Sequence, residues 1–305
     1  MAAASDRKRA AIILAGGDGT RLSALVRGMT GREVPKQFCS LLGESTLLER
    51  TRRRVEMTVA PYDVLYVVSQ AHQQHYEPLL ADIPRSNLVV QPDNRGTAPA
   101  VLLALIRMAA AAPEASVAIF PSDHFLSDDG DFMRHVEMAF DAVEQRPEFT
   151  VLLAMQPSHP DTDCGWIEPA HRIVAGGHDL YRVQTLWNKP DTEAAVRLLK
   201  HGGLWNSAVT VGRLSTMLGA IMVGAPELYA AFAPLRAKPP SARSVADVYR
   251  ELRPAGFVEQ VLGGAPVNLA ALPVPGLRWV NLGEPQRVRQ AWNQLGLRSV
   301  WSIGS

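Results

Sequence analysis

The sequence predicts an α/β protein built on a mostly parallel, doubly wound sheet, and two observations support this prediction. Short apolar runs rich in β-branched residues alternate with longer stretches in which apolar residues recur at helical spacing. The short runs are nearly continuously apolar, which is typical of strands whose two faces are both covered by helices. We therefore expect a central sheet with helices on both sides.

The first part of the chain carries the regular pattern. Six apolar runs are predicted as strands, at 10–15, 64–68, 87–90, 116–120, 149–154 and 181–187. Four helical patterns lie between them, at 45–58, 70–81, 98–112 and 131–145. Thr46 followed by Glu49 fits a capping box, and Thr97 followed by Pro99 is typical of a helix start.

The pattern is less regular after residue 190, where the remaining elements are predicted. They are helices at 191–200, 244–262 and 284–295, and strands at 204–211, 267–273 and 278–281. The proline-rich, basic segment 234–243 is predicted as a loop. The expected organisation is a single domain over 10–295 with a core (10–212) and a C-terminal elaboration (213–295), between a disordered tail at 1–9 and a second tail at 296–305.

Composition excludes several classes of protein. The 305 residues include 31 Lys and Arg against 30 Asp and Glu, a balance that argues against binding to nucleic acid or to an anionic membrane. No apolar run approaches the roughly 20 residues that span a bilayer. Two cysteines, Cys39 and Cys164, are too few for a disulfide framework or a four-ligand zinc site. A cytoplasmic enzyme with small-molecule partners is the expected class.

A glycine-rich loop follows the first predicted strand and reads Leu14-Ala15-Gly16-Gly17-Asp18-Gly19-Thr20-Arg21-Leu22. Glycines let the backbone approach an anion closely, and the forked guanidinium of Arg21 suits phosphate oxygens. The loop is neither a dinucleotide fingerprint, which needs glycine in place of Leu22, nor a P-loop, because no Gly-Lys-Ser/Thr follows. The sequence therefore indicates a phosphate site, and a tight turn that binds nothing is the alternative.

Three downstream segments carry further polar groups. Lys36, after Pro35, is a candidate second phosphate cation, although a single lysine is more often simply solvated. The loop 91–100 leads into a helix N-terminus, which favours anions. Asp123 follows the strand at 116–120, where a carboxylate facing a phosphate loop is expected to bind Mg²⁺; capping of a turn is the alternative.

These segments together resemble the sugar-nucleotide pyrophosphorylases, most closely the mannose-1-phosphate guanylyltransferases. Residues 16–22 match the family's GGxGTRL loop, and residues 35–37 match its PKQ-type lysine segment. The family's EPxxRNTAPA, PSDH, TGYGYIE, FxEKP and WNSG strings then have counterparts in the same order, at 91–100, 121–124, 163–169, 186–190 and 205–208. The resemblance thus spans residues 15–207 and implies the Rossmann-like nucleotide-diphospho-sugar transferase fold.

The resemblance also implies a role for each matching residue. Arg21 and Lys36 would handle the triphosphate as catalytic cations, and Asp123 would coordinate a catalytic Mg²⁺. The nucleotide would contact Leu14, Ala15, Gly16, Gly17, Gly19, Thr20, Arg95, Gly96, Thr97 and Ala98. The sugar phosphate would contact Gly165, Glu168, Lys189 and Asn206.

The chain departs from the family pattern at several of these positions. Gly96 replaces an asparagine of the base-recognising loop, which weakens the inferred preference for guanine, and Asn188 and Ala208 replace a glutamate and a glycine. Asn281 occupies the place of a second magnesium-binding aspartate, where an amide oxygen can ligate Mg²⁺ but brings no charge. Glu284 is a candidate substitute ligand. Because the sequence stops at residue 305, no β-helix or cupin-like extension is expected.

The resemblance implies that the protein joins GTP and mannose-1-phosphate to give GDP-mannose and pyrophosphate, with Mg²⁺ as cofactor. Another sugar phosphate or another nucleotide is the first alternative. The second is a catalytically weak regulatory subunit, which Asn281 motivates. A glycosyltransferase is disfavoured, because that class needs no GGxGTRL–PKQ pair. A homodimer is a candidate assembly.

Overall fold

A nine-stranded sheet forms the centre of the molecule in the computed structural model, which describes residues 8–237, 240–264 and 268–297. The strands of this sheet, in spatial order, are β3 (Leu88–Gln91), β2 (Val64–Ser69), β1 (Arg9–Leu14), β4 (Ser116–Pro121), β9 (Leu204–Arg213), β6 (Thr150–Met155), β10 (Leu269–Val274), β8 (His178–Trp187) and β7 (Trp166–Ala175). Two short strands, β5 (His124–Leu126) and β11 (Trp279–Asn281), pair antiparallel beside it.

The strand directions confirm the prediction of a mostly parallel sheet. β1, β2, β3 and β4 are mutually parallel, and β6 is parallel to β10. β9 runs antiparallel to β4, to β6 and to β7, and β8 runs antiparallel to β10 and to β7. Seven of the nine strands in the described sheet therefore point the same way, and their carboxyl ends define one edge.

Helices cover both faces of the sheet, as a doubly wound fold requires. They are α1 (Ser23–Thr30), α2 (Leu47–Val55), α3 (Gln73–Tyr76), α4 (Thr97–Ala109), α5 (Asp129–Gln145), α6 (Thr192–Lys200), α7 (Leu214–Gly224), α8 (Pro226–Ala231), α9 (Ala233–Ala237), α10 (Ala242–Arg250) and α11 (Pro285–Leu295). None of these helices is long and apolar enough to cross a membrane within the described part of the chain.

Alternation along the strands divides the core into two layers. In β1, Ala11 and Ile13 pack into a cluster with α2 and α5, whereas Ala10 and Ile12 pack into a cluster with α4, α7 and α10. The period of two in a strand sends successive side chains to opposite faces, so both layers come from one continuous apolar run. A third cluster joins α1 to β5, β11 and α11.

The C-terminal part contains the largest differences from the predicted elements. The expected helix at 244–262 is two elements, because Pro254 and Gly256 interrupt it; α10 ends at Arg250, and a π-helix spans Phe257–Leu262. The expected loop at 234–243 holds α9 and the start of α10, since Pro234 lies in a first helical turn, where proline is tolerated. Residues 238–239 of that loop lie outside the described residues.

Other elements were predicted with partial success. The helix at 70–81 is reduced to α3 between turns, and β1 begins at Arg9, inside the segment expected to be a tail. Residues 1–7 of that tail, residue 267 and residues 298–305 lie outside the described residues. β7 was not predicted, because its middle carries polar, exposed side chains typical of an edge strand.

Candidate active site

Two adjoining cavities open at the edge formed by the carboxyl ends of the parallel strands. Each has a volume of about 420 Å³. The residues common to both are Gly17, Lys36, Asp123, Ala208, Val258, Glu259 and Asn281. The first cavity is lined by three cationic side chains, and the second has mainly apolar walls that include Leu14, Val67, Ile119 and Phe257.

Fourteen of the eighteen residues predicted for the site line one of these cavities. They are Leu14, Gly16, Gly17, Gly19, Thr20, Arg21, Lys36, Gly96, Thr97, Asp123, Gly165, Lys189, Asn206 and Asn281. The structure thus brings together segments that lie up to 267 residues apart, between Leu14 and Asn281.

The other four predicted residues do not line either cavity. Ala15 is buried, and its N–H donates to the Val67 carbonyl. The Ala98 N–H donates to the Ala255 carbonyl, so it is not free for a ligand. Arg95 pairs with Asp93 at 3.5 Å, and Glu168 accepts a hydrogen bond of 2.9 Å from the Trp187 indole.

The glycine-rich loop is fixed by the segment that carries Lys36. The Gln37 side-chain amide donates to the carbonyl oxygens of Ala15 at 2.9 Å and Gly17 at 2.7 Å. Gly19 has φ +63°, and a Cβ at this position would lie 3.1 Å from the Lys36 backbone nitrogen. The loop therefore needs glycine at residue 19 to pack against the lysine segment.

Lys36 and Asp123 form an ion pair in the region shared by the two cavities. The Lys36 Nζ lies 2.6 Å from Asp123 Oδ2 and donates to the Leu282 carbonyl at 3.1 Å. Burial opposes ionisation of Asp123, but the charge of Lys36 outweighs it and holds the pKa of the carboxyl below its usual range. Asp123 is therefore a carboxylate at neutral pH.

Asn281 lies beside Asp123 because β11 pairs with β5. Asn281 is opposite His124 in this pairing, and the Leu282 N–H donates to the Asp123 carbonyl at 3.1 Å. The Asn281 Oδ1 is buried and has no hydrogen-bond partner among the described residues. A carboxylate and an unsatisfied amide oxygen are both ligands that suit Mg²⁺, so this pair fits a magnesium site.

His124 has a packing role next to this pair. Burial lowers its pKa to about 4, so the imidazole is neutral at neutral pH. Its ring packs edge-on against Trp279, with a centroid distance of 5.2 Å. A neutral, enclosed imidazole supports β11 and adds no charge to the site.

Each cation of the first cavity is paired with a carboxylate. Besides the Lys36–Asp123 pair, Arg21 Nη1 lies 2.8 Å from Glu284 Oε1, and Lys189 Nζ lies 3.9 Å from Asp163 Oδ1. Arg21 is largely exposed, so its pair with Glu284 is weak and can be exchanged for a stronger anion. A phosphate group entering the cavity would compete with these carboxylates for the cations.

Two non-glycine residues of the first cavity have left-handed backbone conformations. Lys189 has φ 48° and Ala208 has φ 59°. Such conformations are uncommon outside glycine and are concentrated at functional sites. This positive φ explains why the resembling family has glycine at the position of Ala208, since glycine adopts such a conformation easily. The Ala208 N–H donates to Asn206 Oδ1 at 2.8 Å, which fixes the Asn206 amide in the cavity wall.

A C-terminal segment completes the second cavity, and sequence analysis did not foresee it. The Ala255 N–H donates to the Arg95 carbonyl at 3.0 Å, and the Phe257 N–H donates to Thr97 Oγ1 at 2.8 Å. Gly96 faces this segment directly, because a Cβ there would lie 2.3 Å from the Ala255 carbonyl oxygen. Phe257, Val258 and Glu259 follow in the cavity wall, on a π-helix of the kind that often occurs at functional sites.

The chain resembles several known proteins over most of its length. It is 30% identical over 221 residues to the alginate biosynthesis protein AlgA of Pseudomonas fluorescens, and this match covers 72% of this chain and 44% of AlgA. It is 29% identical over 225 residues to the mannose-1-phosphate guanylyltransferase RfbM of Salmonella typhimurium, covering 72% of this chain and 45% of RfbM. The chain therefore aligns with less than half the length of these relatives.

A solved structure and a family model extend the comparison. A crystal structure described as mannose-1-phosphate geranyltransferase from Thermus thermophilus superposes with a TM-score of 0.81 at 27% identity, and the match covers 94% of this chain and 80% of that one. The nucleotidyl transferase family model matches residues 10–294. The chain belongs to the nucleotidyl transferase family.

Proposed function

We propose that this protein joins GTP and mannose-1-phosphate, giving GDP-mannose and pyrophosphate. The observation that carries the proposal is the pair of adjoining cavities at one sheet edge. One cavity has three cations for phosphate groups, and the other has apolar walls suited to a nucleobase. Lys36 and Asp123 lie where the two cavities meet, which is where the reacting phosphates would lie.

The reaction needs positioning and charge neutralisation more than covalent catalysis. An oxygen of the sugar phosphate attacks the α-phosphorus in line and forms a new P–O bond. The bond between the α-phosphorus and the oxygen that bridges it to the β-phosphorus breaks, and pyrophosphate leaves. Lys36 and Arg21 would neutralise the triphosphate and the departing pyrophosphate. Lys189, in the same cavity, would hold the attacking sugar phosphate.

Asp123 and Asn281 would hold a Mg²⁺ ion, which when bound would neutralise part of the phosphate charge. Asp123 provides the only charge of this pair. The Asp123 carboxylate can pair with Lys36 or bind the metal. We therefore expect the Lys36–Asp123 ion pair to break when Lys36 binds the triphosphate.

Guanosine and mannose are supported by the relatives' names and by the sequence strings. RfbM is named a mannose-1-phosphate guanylyltransferase, whereas AlgA is named only for alginate biosynthesis. The relatives are more than twice as long as the aligned part of this chain, and any activity in their other parts is not transferred here. A cytoplasmic location and a homodimeric assembly stay predictions.

The test is a turnover panel of four nucleoside triphosphates crossed with several sugar-1-phosphates, read by pyrophosphate release with Mg²⁺ present. GTP with mannose-1-phosphate is expected to give the highest kcat/KM, and Asp123→Asn is expected to abolish release. Strong selectivity for a pyrimidine nucleotide would overturn the assignment of the base. No turnover of any pair would overturn the enzymatic proposal.

Asn281 favours one competing function, that of a catalytically weak binding subunit. The Asn281→Asp variant distinguishes this function from that of a working enzyme. In a working enzyme the added charge is expected to lower the Mg²⁺ concentration for half-maximal activity by about 10-fold, because a carboxylate binds Mg²⁺ more tightly than an amide. The value of kcat is expected to change little. A rise from near-zero activity by orders of magnitude would instead identify a degenerate site. Magnesium titrations of both proteins decide between them.

A further inference from the structure

The side-chain amide of Gln91 is held in the wall of the second cavity by two distant parts of the chain. Gln91 is the last residue of β3 and is only 2% exposed. The Tyr249 hydroxyl, from α10, donates to Gln91 Oε1 at 3.2 Å. On the other side, a Cβ added to Gly16 would lie 2.5 Å from Gln91 Nε2. The amide is therefore enclosed between α10 and the glycine-rich loop.

Tyr249 determines which end of this amide faces the cavity. Tyr249 is fully buried, and burial raises the pKa of its hydroxyl, so the group keeps its proton and needs an acceptor. Gln91 Oε1 is that acceptor. With the amide reversed, two donors would meet or the buried hydroxyl proton would lack a partner, which is unfavourable. Gln91 Nε2 is thus left beside Gly16, in the wall that both residues contribute to the second cavity.

We propose that Tyr249 is a positioning residue that presents the N–H donors of Gln91 to the nucleobase and so selects bases with a carbonyl oxygen at that edge. The inference rests on the proposed function, in which the second cavity takes the base. Hypoxanthine, guanine and uracil present a carbonyl where adenine and cytosine present an amino group. An amino group facing Gln91 Nε2 would leave donors unpaired on both sides, and such mismatches reduce affinity strongly.

The effect depends on the C-terminal segment and is not a property of the glycine-rich loop alone. α10 carries Tyr249, and the chain then continues to Ala255 and Phe257, which bond to the loop at 95–97. The same segment therefore shapes the cavity wall and orients the amide. A binding preference set in this way is expected to change when the tyrosine hydroxyl alone is removed.

The experiment measures equilibrium dissociation constants of two matched nucleotide pairs, ITP against ATP and UTP against CTP. The wild-type protein is expected to bind the carbonyl member of each pair roughly 10-fold more tightly. Tyr249→Phe frees the amide to turn and is expected to bring both ratios close to 1. Gln91→Glu replaces the donor with an acceptor and is expected to reverse them. Thermal unfolding of each variant monitors the fold.

Tyr66→Phe is the matched control. Tyr66 lies in β2, and its buried hydroxyl has no hydrogen-bond partner among the described residues, so its removal is expected to leave both ratios unchanged. Unchanged ratios in Tyr249→Phe and Gln91→Glu, with nucleotide binding retained, would overturn the inference and leave the proposed function standing. Failure of the wild-type protein to bind any of these four nucleotides or GTP would overturn both.

Discussion

Replacement of Lys36 by methionine is expected to lower kcat/KM for the nucleotide by about 10²–10³-fold. Lys36 is the cation placed where the two cavities meet, 2.6 Å from Asp123. In the proposed reaction, its removal takes away a charge-assisted contact to the developing charge of the leaving pyrophosphate. Methionine keeps the length and apolar character of the side-chain stem, so the measured loss reports mainly the missing charge. Steady-state kinetics with GTP and mannose-1-phosphate measure it.

The same variant is expected to shift the pH dependence of activity. Lys36 lowers the pKa of Asp123, so its loss raises that pKa, and the acid limb of the pH–rate profile moves to higher pH. Lys200→Met removes an exposed lysine at the end of α6 and is the control, with no change expected in rate or profile. A Lys36→Met enzyme within about 5-fold of wild type would contradict the assigned role, given the loss expected for such a contact.

Gly96→Ala is expected to lower the free energy of unfolding by about 2–4 kcal/mol. Gly96 has φ 86° and ψ 179°, a conformation that is essentially restricted to glycine. A Cβ would also lie 2.3 Å from the Ala255 carbonyl oxygen and 2.9 Å from its nitrogen, and both are backbone atoms that cannot turn away. The segment that closes the second cavity must then move, so nucleotide affinity is expected to fall as well. Urea unfolding and equilibrium binding measure the two effects.

Two further substitutions make this prediction specific. Gly28→Ala lies in α1, where no atom apart from the neighbouring part of the helix lies within 4 Å of the added Cβ, so stability is expected to stay the same or rise by up to about 1 kcal/mol. Gly96→Asn introduces the residue that the resembling family carries, and here it is expected to be as damaging as alanine. A stable Gly96→Asn protein with unchanged nucleotide affinity would show that the Ala255 contact does not control this wall.

The sequence was informative wherever local pattern determines structure. The apolar runs at 10–15 and 116–120 became adjacent parallel strands, and the loops after them converged because carboxyl ends of parallel strands meet at one edge. That convergence is why fourteen predicted site residues line the cavities. Proline at 254 and glycine at 256 were visible in the sequence, and they explain why the helix predicted at 244–262 is interrupted in the structure.

Contacts between distant segments could not be predicted from the sequence patterns. Glu284 pairs with Arg21, and Ala255 packs on Gly96, although 263 residues separate the first pair. Ala98 was expected to contact the nucleotide, but its N–H bonds to Ala255. No periodicity or spacing indicates such pairings, since they depend on how the C-terminal segment crosses the sheet edge. From the sequence, the replacement of the family's asparagine by Gly96 indicated only a weaker preference for guanine. The structure shows that glycine is also needed there for packing against Ala255.

The most direct test of the proposed reaction follows two phosphorus labels through it. The protein is incubated with mannose-1-phosphate, Mg²⁺ and GTP that carries ³²P at either the α or the γ position, and products are separated. Attack at the α-phosphorus places the α label in the nucleotide sugar and the γ label in pyrophosphate, and Asp123→Asn should yield neither. Transfer of the γ label to the sugar, or no labelled product from any nucleoside triphosphate tried in place of GTP, would contradict the account.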